Sequence, residues 1–443
     1  MAGDMRSEIR SVIDAVKKHH ELFATALPLI ASENVTSNTV RMLLASDLSH
    51  RYAEGEVGSR FYQGCKYIDE IEEKAITLAR ALFAAEHVNV KPISGVTANL
   101  AALFALTAPR DRMMALSVPN GGHISHSKVS IPGMRDLELF TFPFDAHEMN
   151  IDTELMVKKI GEKKPKLLLF GASLFLFPHP VAAAREAADE LGARIVYDGS
   201  HVFGLIAGKK FQDPLREGAD VVASSTHKTF PGPQGALILC KEELKQRIDE
   251  AVFPGTVSNH HLHHVAGLAV SLAEMLEFGE AYAAQTVANA KALAAALYEE
   301  GFEVLCEHKG FTESHQIAIN ALKLGGGAAV AEHLELANII INKNLLPADK
   351  NPDTPSGIRL GVQELTMVGM KESEMREVAS LIARVVIGKV DVQKIKEAVK
   401  ELRSGYQDAM YCFDGKNAYA FPELHYKSKS IYKEYRERYI EGC

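Results

Sequence analysis

Residues 221–239 read Val-Val-Ala-Ser-Ser-Thr-His-Lys-Thr-Phe-Pro-Gly-Pro-Gln-Gly-Ala-Leu-Ile-Leu. A β-branched, apolar run ends in three hydroxyl residues, Lys228 follows His227, a Pro/Gly turn intervenes, and a second apolar run begins at once. The pattern predicts two strands flanking a lysine. A lysine at a strand end, among hydroxyls and a histidine, sits where its ammonium pKa can fall and where an anion can be held. Those are the requirements of a Schiff-base lysine. Taken alone, the same stretch is a hairpin turn with a solvated lysine, and only the rest of the chain can overturn that.

Working outward, short apolar runs at Val88–Ile93, Arg112–Val118, Leu167–Phe170, Ile195–Tyr197 and Asp220–Ala223 alternate with segments of helical period such as Tyr67–Phe83 and Val181–Leu191. Such alternation implies an α/β domain with a largely parallel sheet, whose ligands gather at the carboxyl ends of strands. Gly121-Gly122-His123, Ser173, Asp198 with His201, and Thr226-His227-Lys228 all fall at such ends. Ser94-Gly95-Val96-Thr97 reads as a turn before a helix over Ala98–Thr107, which outlines an anion site.

Residues 7–24 are amphipathic and helical in pattern, and Pro28–Asn34 is a polar turn. Arg51–Asp69 is rich in Gly, Tyr and charge and shows neither period, so it is expected to be a loop that carries function. After Gly267 a helix is expected over Leu268–Phe278, resuming after Gly279 to about Glu300 with Gly301 as its cap. Phe302–Cys306, His315–Ala321 and Ile339–Ile341 then read as strands among the helices Ala328–Leu336, Glu372–Val385 and Val392–Arg403. The expected organisation is an N-terminal helical segment (1–25), a large domain (26–280) and a small α+β C-terminal domain (281–443). No element is assigned to the tail from Tyr406.

The charge balance, 49 − 57 = −8, gives no general attraction to nucleic acid or to an anionic membrane, which leaves small solutes as the expected partners. Five scattered cysteines without a CxxC pair argue for a reducing compartment. The first ten residues carry acids and no apolar core of a signal peptide. The uncharged stretch from Pro92 to Pro109 is broken by Ser94, Gly95, Thr97 and Asn99, so no membrane span is expected and the expected location is the cytoplasm.

Seven motifs in order carry a family resemblance: Leu29-Ile30-Ala31-Ser32-Glu33-Asn34, Tyr52-Ala53-Glu54-Gly55, Gly64-Cys65-Lys66-Tyr67-Ile68-Asp69, Gly121-Gly122-His123, Asp198-Gly199-Ser200-His201, Thr226-His227-Lys228-Thr229 and Gly357-Ile358-Arg359. Over about residues 25–390 the chain resembles serine hydroxymethyltransferase, a pyridoxal-phosphate enzyme of fold type I. The run Phe253–His264 resembles the archaeal branch. The resemblance implies a large domain with a mostly parallel seven-stranded sheet, a smaller α+β C-terminal domain, and a homodimer that shares its sites between subunits.

It also implies residue roles. Lys228 would bind pyridoxal 5'-phosphate covalently, Asp198 would hold the ring nitrogen, His123 would stack on the ring, and His201 would lie near the ring oxygen and the substrate carboxylate. Ser94, Gly95, the backbone of Val96, His227 and, from the second subunit, Tyr52 and Gly255 would cup the phosphate. The family usually has Ser where Val96 stands, and Thr97 offers a nearby hydroxyl in its place. Ser173 and Thr226 would complete the shell. Arg359, Ser32 and Tyr62 would bind substrate, Glu54 would relay a proton beside the hydroxymethyl group, and Gly122, His123, Ile124 and Glu54 would face the pterin.

The activity so implied is reversible transfer of the serine hydroxymethyl carbon to a reduced pterin, tetrahydrofolate or tetrahydromethanopterin, with catalytic Lys228, Glu54, Thr226 and His123. A threonine or allo-threonine aldolase without pterin would use the same lysine, and a catalytically silent binding protein of this fold is the third reading. His260, His261, His263 and His264 have metal-ligand spacing on a helix, but no Cys or acid lies near in sequence and the chemistry needs no metal. No metal site is expected.

Overall fold

The six apolar runs and one strand the reading did not expect, Glu138–Thr141, form a seven-stranded sheet in the computed structural model, which describes residues 5–421. In chain order its strands are β1 (His87–Asn89), β2 (Arg112–Ala115), β3 (Glu138–Thr141), β4 (Leu167–Phe170), β5 (Arg194–Asp198), β6 (Val221–Ser225) and β7 (Ala236–Cys240). They lie side by side as β1-β7-β6-β5-β4-β2-β3. All run one way except β7, which is antiparallel to both of its neighbours. Leu168, Phe170, Ile195, Tyr197 and Val222 pack into one core, whereas Leu167, Leu169, Val196, Val221 and Ala223 pack into another. Alternation into two cores is what a sheet covered on both faces requires, and it explains why these strands read as unbroken apolar runs.

The N-terminal helix α1 spans Met5–Thr25 and α2 spans Lys66–Phe83. Of the expected loop Arg51–Asp69, residues 51–65 are irregular apart from a small hairpin pairing Gly55 with Arg60, and Lys66–Asp69 form the first turn of α2. Its backbone is pinned from below by buried charge. Arg60 bonds Glu72 at 2.8 Å and Asp69 at 2.7 Å, and donates to the carbonyls of Ala53 and Gly55. Glu72 also meets His260 at 3.0 Å. One histidine of the 260–264 run is therefore a structural hydrogen-bond partner of a buried acid.

Two local expectations change. The helix α3 spans Gly95–Leu106, so Ser94–Thr97 is its first turn rather than a separate turn. Ser94 is the N-cap and forms a capping box with Thr97, which starts the helix early. Gly279 does not interrupt the long helix either. α4 runs unbroken over Leu262–Glu299, 38 residues, and Gly301 follows it in the left-handed region at φ 94°. The close approach here constrains Gly208 instead, because a Cβ on it would strike the Gly279 carbonyl and the Ala283 Cβ.

α4 carries the chain from the sheet cores to a third core. Tyr282 and Ala283 belong to the first, and Ala290, Leu293 and Leu297 to the other. That C-terminal core holds an antiparallel sheet of β8 (Glu303–Val304), β9 (Gln316–Asn320), β10 (Asn342–Asn344) and β11 (Gly357–Gly361), ordered β8-β9-β11-β10. Helices α5 (Glu372–Val386) and α6 (Val392–Ser404) complete it. Leu27 and Leu29 join this same core, and Leu27–Pro28 pairs with Ile339–Ile340. Of the tail left unassigned from Tyr406, residues to 421 pack on the body, with the Tyr419 hydroxyl donating to Glu364 at 2.8 Å. The rest lies outside the described residues. No helix among them is long and apolar enough to cross a membrane.

Candidate active site

Asp198 ends β5, and the turn after it curls back so that the Ser200 amide donates to Asp198 Oδ1 at 3.0 Å. Its other oxygen takes two side-chain bonds, from Asn99 Nδ2 at 2.7 Å and His126 Nε2 at 3.0 Å. Burial alone would raise this carboxyl's pKa. The bonds from His126 and Ser200, with Lys228 nearby, outweigh it and hold the group well below the usual carboxylate range. Asp198 is thus a fixed interior anion.

Lys228 sits in the connection between β6 and its antiparallel neighbour β7. The Asn34 side chain holds its carbonyl at 2.8 Å. Thr226 Oγ1 donates to the Pro233 carbonyl at 2.8 Å, which closes the connection on itself. Burial lowers the Lys228 ammonium to about 8; Asp198 opposes this and Arg359 adds to it. The solvated-turn reading fails on that burial. A lysine so placed is partly a free amine near neutral pH.

Lys228, Asp198, His123, His201, His227, Ser94, Gly95 and Val96 line a single cleft, together with Asn99, Ala172, Ser200 and Ser225. His123 stands at the end of the Gly121-Gly122 turn, with Nδ1 2.7 Å from Ser125 Oγ. Burial chiefly, with His126, Lys228 and Arg359, lowers its pKa to about 4 against the pull of Asp198. His227 is likewise lowered to about 4, by burial and then Lys228. Arg359, on β11, donates from Nη1 to the Ser173 carbonyl at 2.5 Å and from Nε to Asn342 at 3.2 Å. It reaches the cleft region from the C-terminal core, and burial lowers its pKa to about 10.

The cleft fits pyridoxal phosphate. At one end stands the N-terminus of α3, whose first amides have no intrahelical partner and whose dipole favours an anion. Beside it, Ser225 Oγ and His227 Nδ1 are buried polar atoms with no partner among the described residues. A Cβ on Gly95 would lie 3.2 Å from Ser200 Oγ and 3.4 Å from Ser225 Cβ, so a larger residue would fill the cradle. An anion cradle, an amine and a buried carboxylate match the phosphate, the aldehyde and the ring nitrogen of that group.

Thr97 does not replace the missing serine hydroxyl. Its Oγ1 lies 2.8 Å from the Ser94 amide and 2.7 Å from the Ser94 carbonyl, wholly engaged in the cap. Val96, at that position, is 43 % exposed. Tyr52, Glu54, Tyr62 and Gly255 are not among the residues that line this cleft. Glu54 accepts from Tyr62 at 3.3 Å and from Ser258, and the rings of Tyr52 and Tyr62 are 5.4 Å apart. Tyr52, Phe61, Tyr62 and Tyr67 are exposed around it. Ser32 lies half-buried in the turn that packs on β11, where Gln363 bonds the carbonyls of Ile30 and Glu33 at 2.6 Å.

Asn99, His126, Ser200 and Gln316 were missed as site residues. Gln316 bonds the cleft histidine His201 across a sequence gap of 115. One other cluster of metal-type ligands exists among the described residues, His147, Glu148 and His308. Its imidazoles are stacked at 4.1 Å, and His147 Nδ1 and His308 Nε2 both approach Glu148 Oε1, at 3.0 and 3.1 Å. Lys309 pairs with Glu148 at 3.3 Å.

Known proteins agree with this geometry. The family model described as serine hydroxymethyltransferase matches residues 5–382. A serine hydroxymethyltransferase of Methanocella arvoryzae is 60% identical over 94% of this chain and 99% of its own length. That of Methanopyrus kandleri is 58% identical over 94% and 98%. That of Archaeoglobus fulgidus is 54% identical over 96% and 97%. These matches do not favour the aldolase reading. The buried lysine, the interior aspartate and the near full-length archaeal relatives together place this chain in the serine hydroxymethyltransferase family, whose enzymes are pyridoxal-phosphate-dependent and of fold type I.

Proposed function

We propose that this cleft moves the hydroxymethyl carbon of serine reversibly onto a reduced pterin, tetrahydrofolate or tetrahydromethanopterin, leaving glycine. The observation that carries the reading is that Lys228 and Asp198 line one cleft while Arg359, from a different element, comes close enough to act on the Lys228 ammonium. Bound pyridoxal phosphate supplies the electron sink that stabilises negative charge at the substrate α-carbon.

The chain's own residues do the rest. Lys228 would hold the cofactor and give it up to the substrate amine, and Asp198 would keep the ring nitrogen protonated. His123 would cover the ring, with Ser173 at its edge. Ser94, the amides of Gly95 and Val96, and His227 would bind the phosphate. Arg359, Ser32 and Tyr62 would grip the substrate carboxylate, a planar fork being suited to a bidentate bond. Thr226 shapes the turn that aims Lys228. Gly122, His123 and the exposed Ile124 would border the pterin.

Glu54 would exchange a proton with the hydroxymethyl oxygen. Because Glu54, Tyr52, Tyr62 and Gly255 do not line their own cleft, this role belongs to a homodimer in which they serve the second copy. Exposed aromatics around Glu54, and exposed Ile9, Val12, Ile13 and Val16 at helical spacing on α1, support such an interface. The three-part division at residues 25 and 280 and a cytoplasmic location complete the reading.

The test is turnover. Purified protein with pyridoxal phosphate should convert serine to glycine when given tetrahydrofolate or tetrahydromethanopterin, assayed side by side. Absence of glycine with both carriers would sink the proposal, and equal rates would remove any specialised pterin pocket.

A further inference from the structure

Gln316 joins the C-terminal sheet to the cleft. It is wholly buried at the start of β9, paired in register with Gly361 beside the Arg359 strand. Its amide orientation follows from its partners. The Phe175 amide can only donate, and it lies 2.9 Å from Gln316 Oε1. The Ser173 carbonyl can only accept, and it lies 3.1 Å from Nε2. Exchanging oxygen and nitrogen would oppose two donors and two acceptors, so the assignment is fixed.

Nε2 therefore has one more N–H to give, and His201 Nδ1 lies 2.9 Å from it. A ring nitrogen that accepts a hydrogen bond carries no proton. His201 is buried, and burial together with Lys228, Arg359, His315 and His123 keeps its ring neutral by lowering its pKa far below the ordinary value. Its single proton is left on Nε2. His315, whose ring stacks on His201, has its Nε2 3.4 Å from Gln316 Nε2 but cannot accept from it. Its Nε2 lies 3.0 Å from the Ala31 carbonyl and so must itself donate.

We infer that Gln316 is a positioning residue that holds His201 as the tautomer protonated at Nε2, so that the ring offers the cleft an N–H donor and selects an oxyanion. The oxyanion is either the cofactor's ring oxygen or the carboxylate of the amino-acid substrate. The Ser173 carbonyl that receives Gln316 also receives Arg359, so the His201 donor and the guanidinium are held in register through one shared atom. The opposite tautomer would turn a lone pair toward the same oxyanion and repel it. The identity of the oxyanion rests on the proposed function; the tautomer is a property of the protein alone.

Nitrogen NMR of the histidine-labelled holoenzyme tests this directly, with the His201 signals assigned by their loss in His201→Asn. The expected result is a protonated Nε2 and a bare Nδ1, and a protonated Nδ1 in the unmutated protein overturns the inference without any variant having to fold. Gln316→Glu sets a carboxylate against Nδ1, and should draw the proton there. Glycine affinity, read by spectral titration, should then weaken at least about tenfold if the oxyanion is the carboxylate. An equal weakening of pyridoxal phosphate affinity instead assigns the ring oxygen. A folded Gln316→Glu protein with unmoved His201 signals overturns the positioning role. A reversed tautomer with both affinities unchanged overturns the selection of an oxyanion, while leaving turnover as the separate test of the proposed function.

Discussion

Asp198 and His126, 72 residues apart in sequence, share a buried hydrogen bond of 3.0 Å at the end of β5. With Asn99 on the same oxygen, this bond helps keep the carboxylate ionised where burial would neutralise it. Replacing His126 with Leu removes one stabilising donor. Pyridoxal phosphate affinity, followed by fluorescence titration of the apoprotein, should fall by about tenfold, the worth of one charge-assisted bond. Unchanged affinity would show that Asn99 and the Ser200 amide suffice.

Lys228 is lowered to about 8 from 10.5. Only the free amine attacks an aldehyde, so the rate of cofactor attachment should climb through a midpoint near pH 8 and level above it. Stopped-flow absorbance across pH checks this. A midpoint near 10 would mean that the amine is solvated, and Lys228→Ala should show no lysine-bound absorbance at any pH.

Gly171 stands at φ 109°, and a Cβ there would lie 2.8 Å from Asp198 Cβ and collide with the Asp198 carbonyl. Gly171→Ala meets both a left-handed backbone and a clash. Thermal unfolding should show a loss of about 1–3 kcal/mol, and the damage should extend to cofactor binding because Asp198 must move. Retained cofactor affinity would place the strain elsewhere.

If Glu54 serves the second copy, two crippled proteins should rescue each other. Mixing Lys228→Ala with Glu54→Gln subunits under conditions of exchange should restore roughly a quarter of normal turnover, since half of the dimers would carry one intact site. No recovery in mixtures shown to have exchanged would place Glu54 in its own subunit's site.

His179 and His315 are wholly buried, and burial, as the largest cause, lowers each to about 3. Both are neutral in the folded state at pH 5, whereas an unfolded histidine at 6.5 has largely taken up its proton. The unfolded state thus binds more protons, so stability is complete above pH 6.5 and declines as pH falls toward 3. Each should cost on the order of 2 kcal/mol between pH 8 and pH 5. Urea unfolding across pH measures the slope. His179→Asn keeps an acceptor for the Gly171 amide, bonded at 3.3 Å, and should flatten the slope by about one proton.

What could be read from the chain was whatever is local. Runs of four or five apolar residues announced the sheet, and Thr226-His227-Lys228 and Asp198 fell at strand ends as the topology requires. Asn99 and Gln316 were not legible, because each acts through a partner that the fold alone brings near. Each left a faint trace: a polar side chain in an otherwise apolar helix turn or strand head. His126 left another, three residues beyond His123. Gly279 misled because a lone glycine signals a break in sequence, yet a long, well-packed helix carries one at small cost.

The unbroken α4 has a mechanical meaning. At 1.5 Å per residue its 38 residues form a rod about 57 Å long, free of proline and shared by the sheet cores and the C-terminal core. Such a rod does not fold at its middle. Arg359 and Gln316 of the C-terminal sheet meet the sheet domain at the Ser173 carbonyl, and Asn34 joins the Lys228 carbonyl to the Tyr282 hydroxyl halfway along the rod, so the rod braces both walls of the cleft.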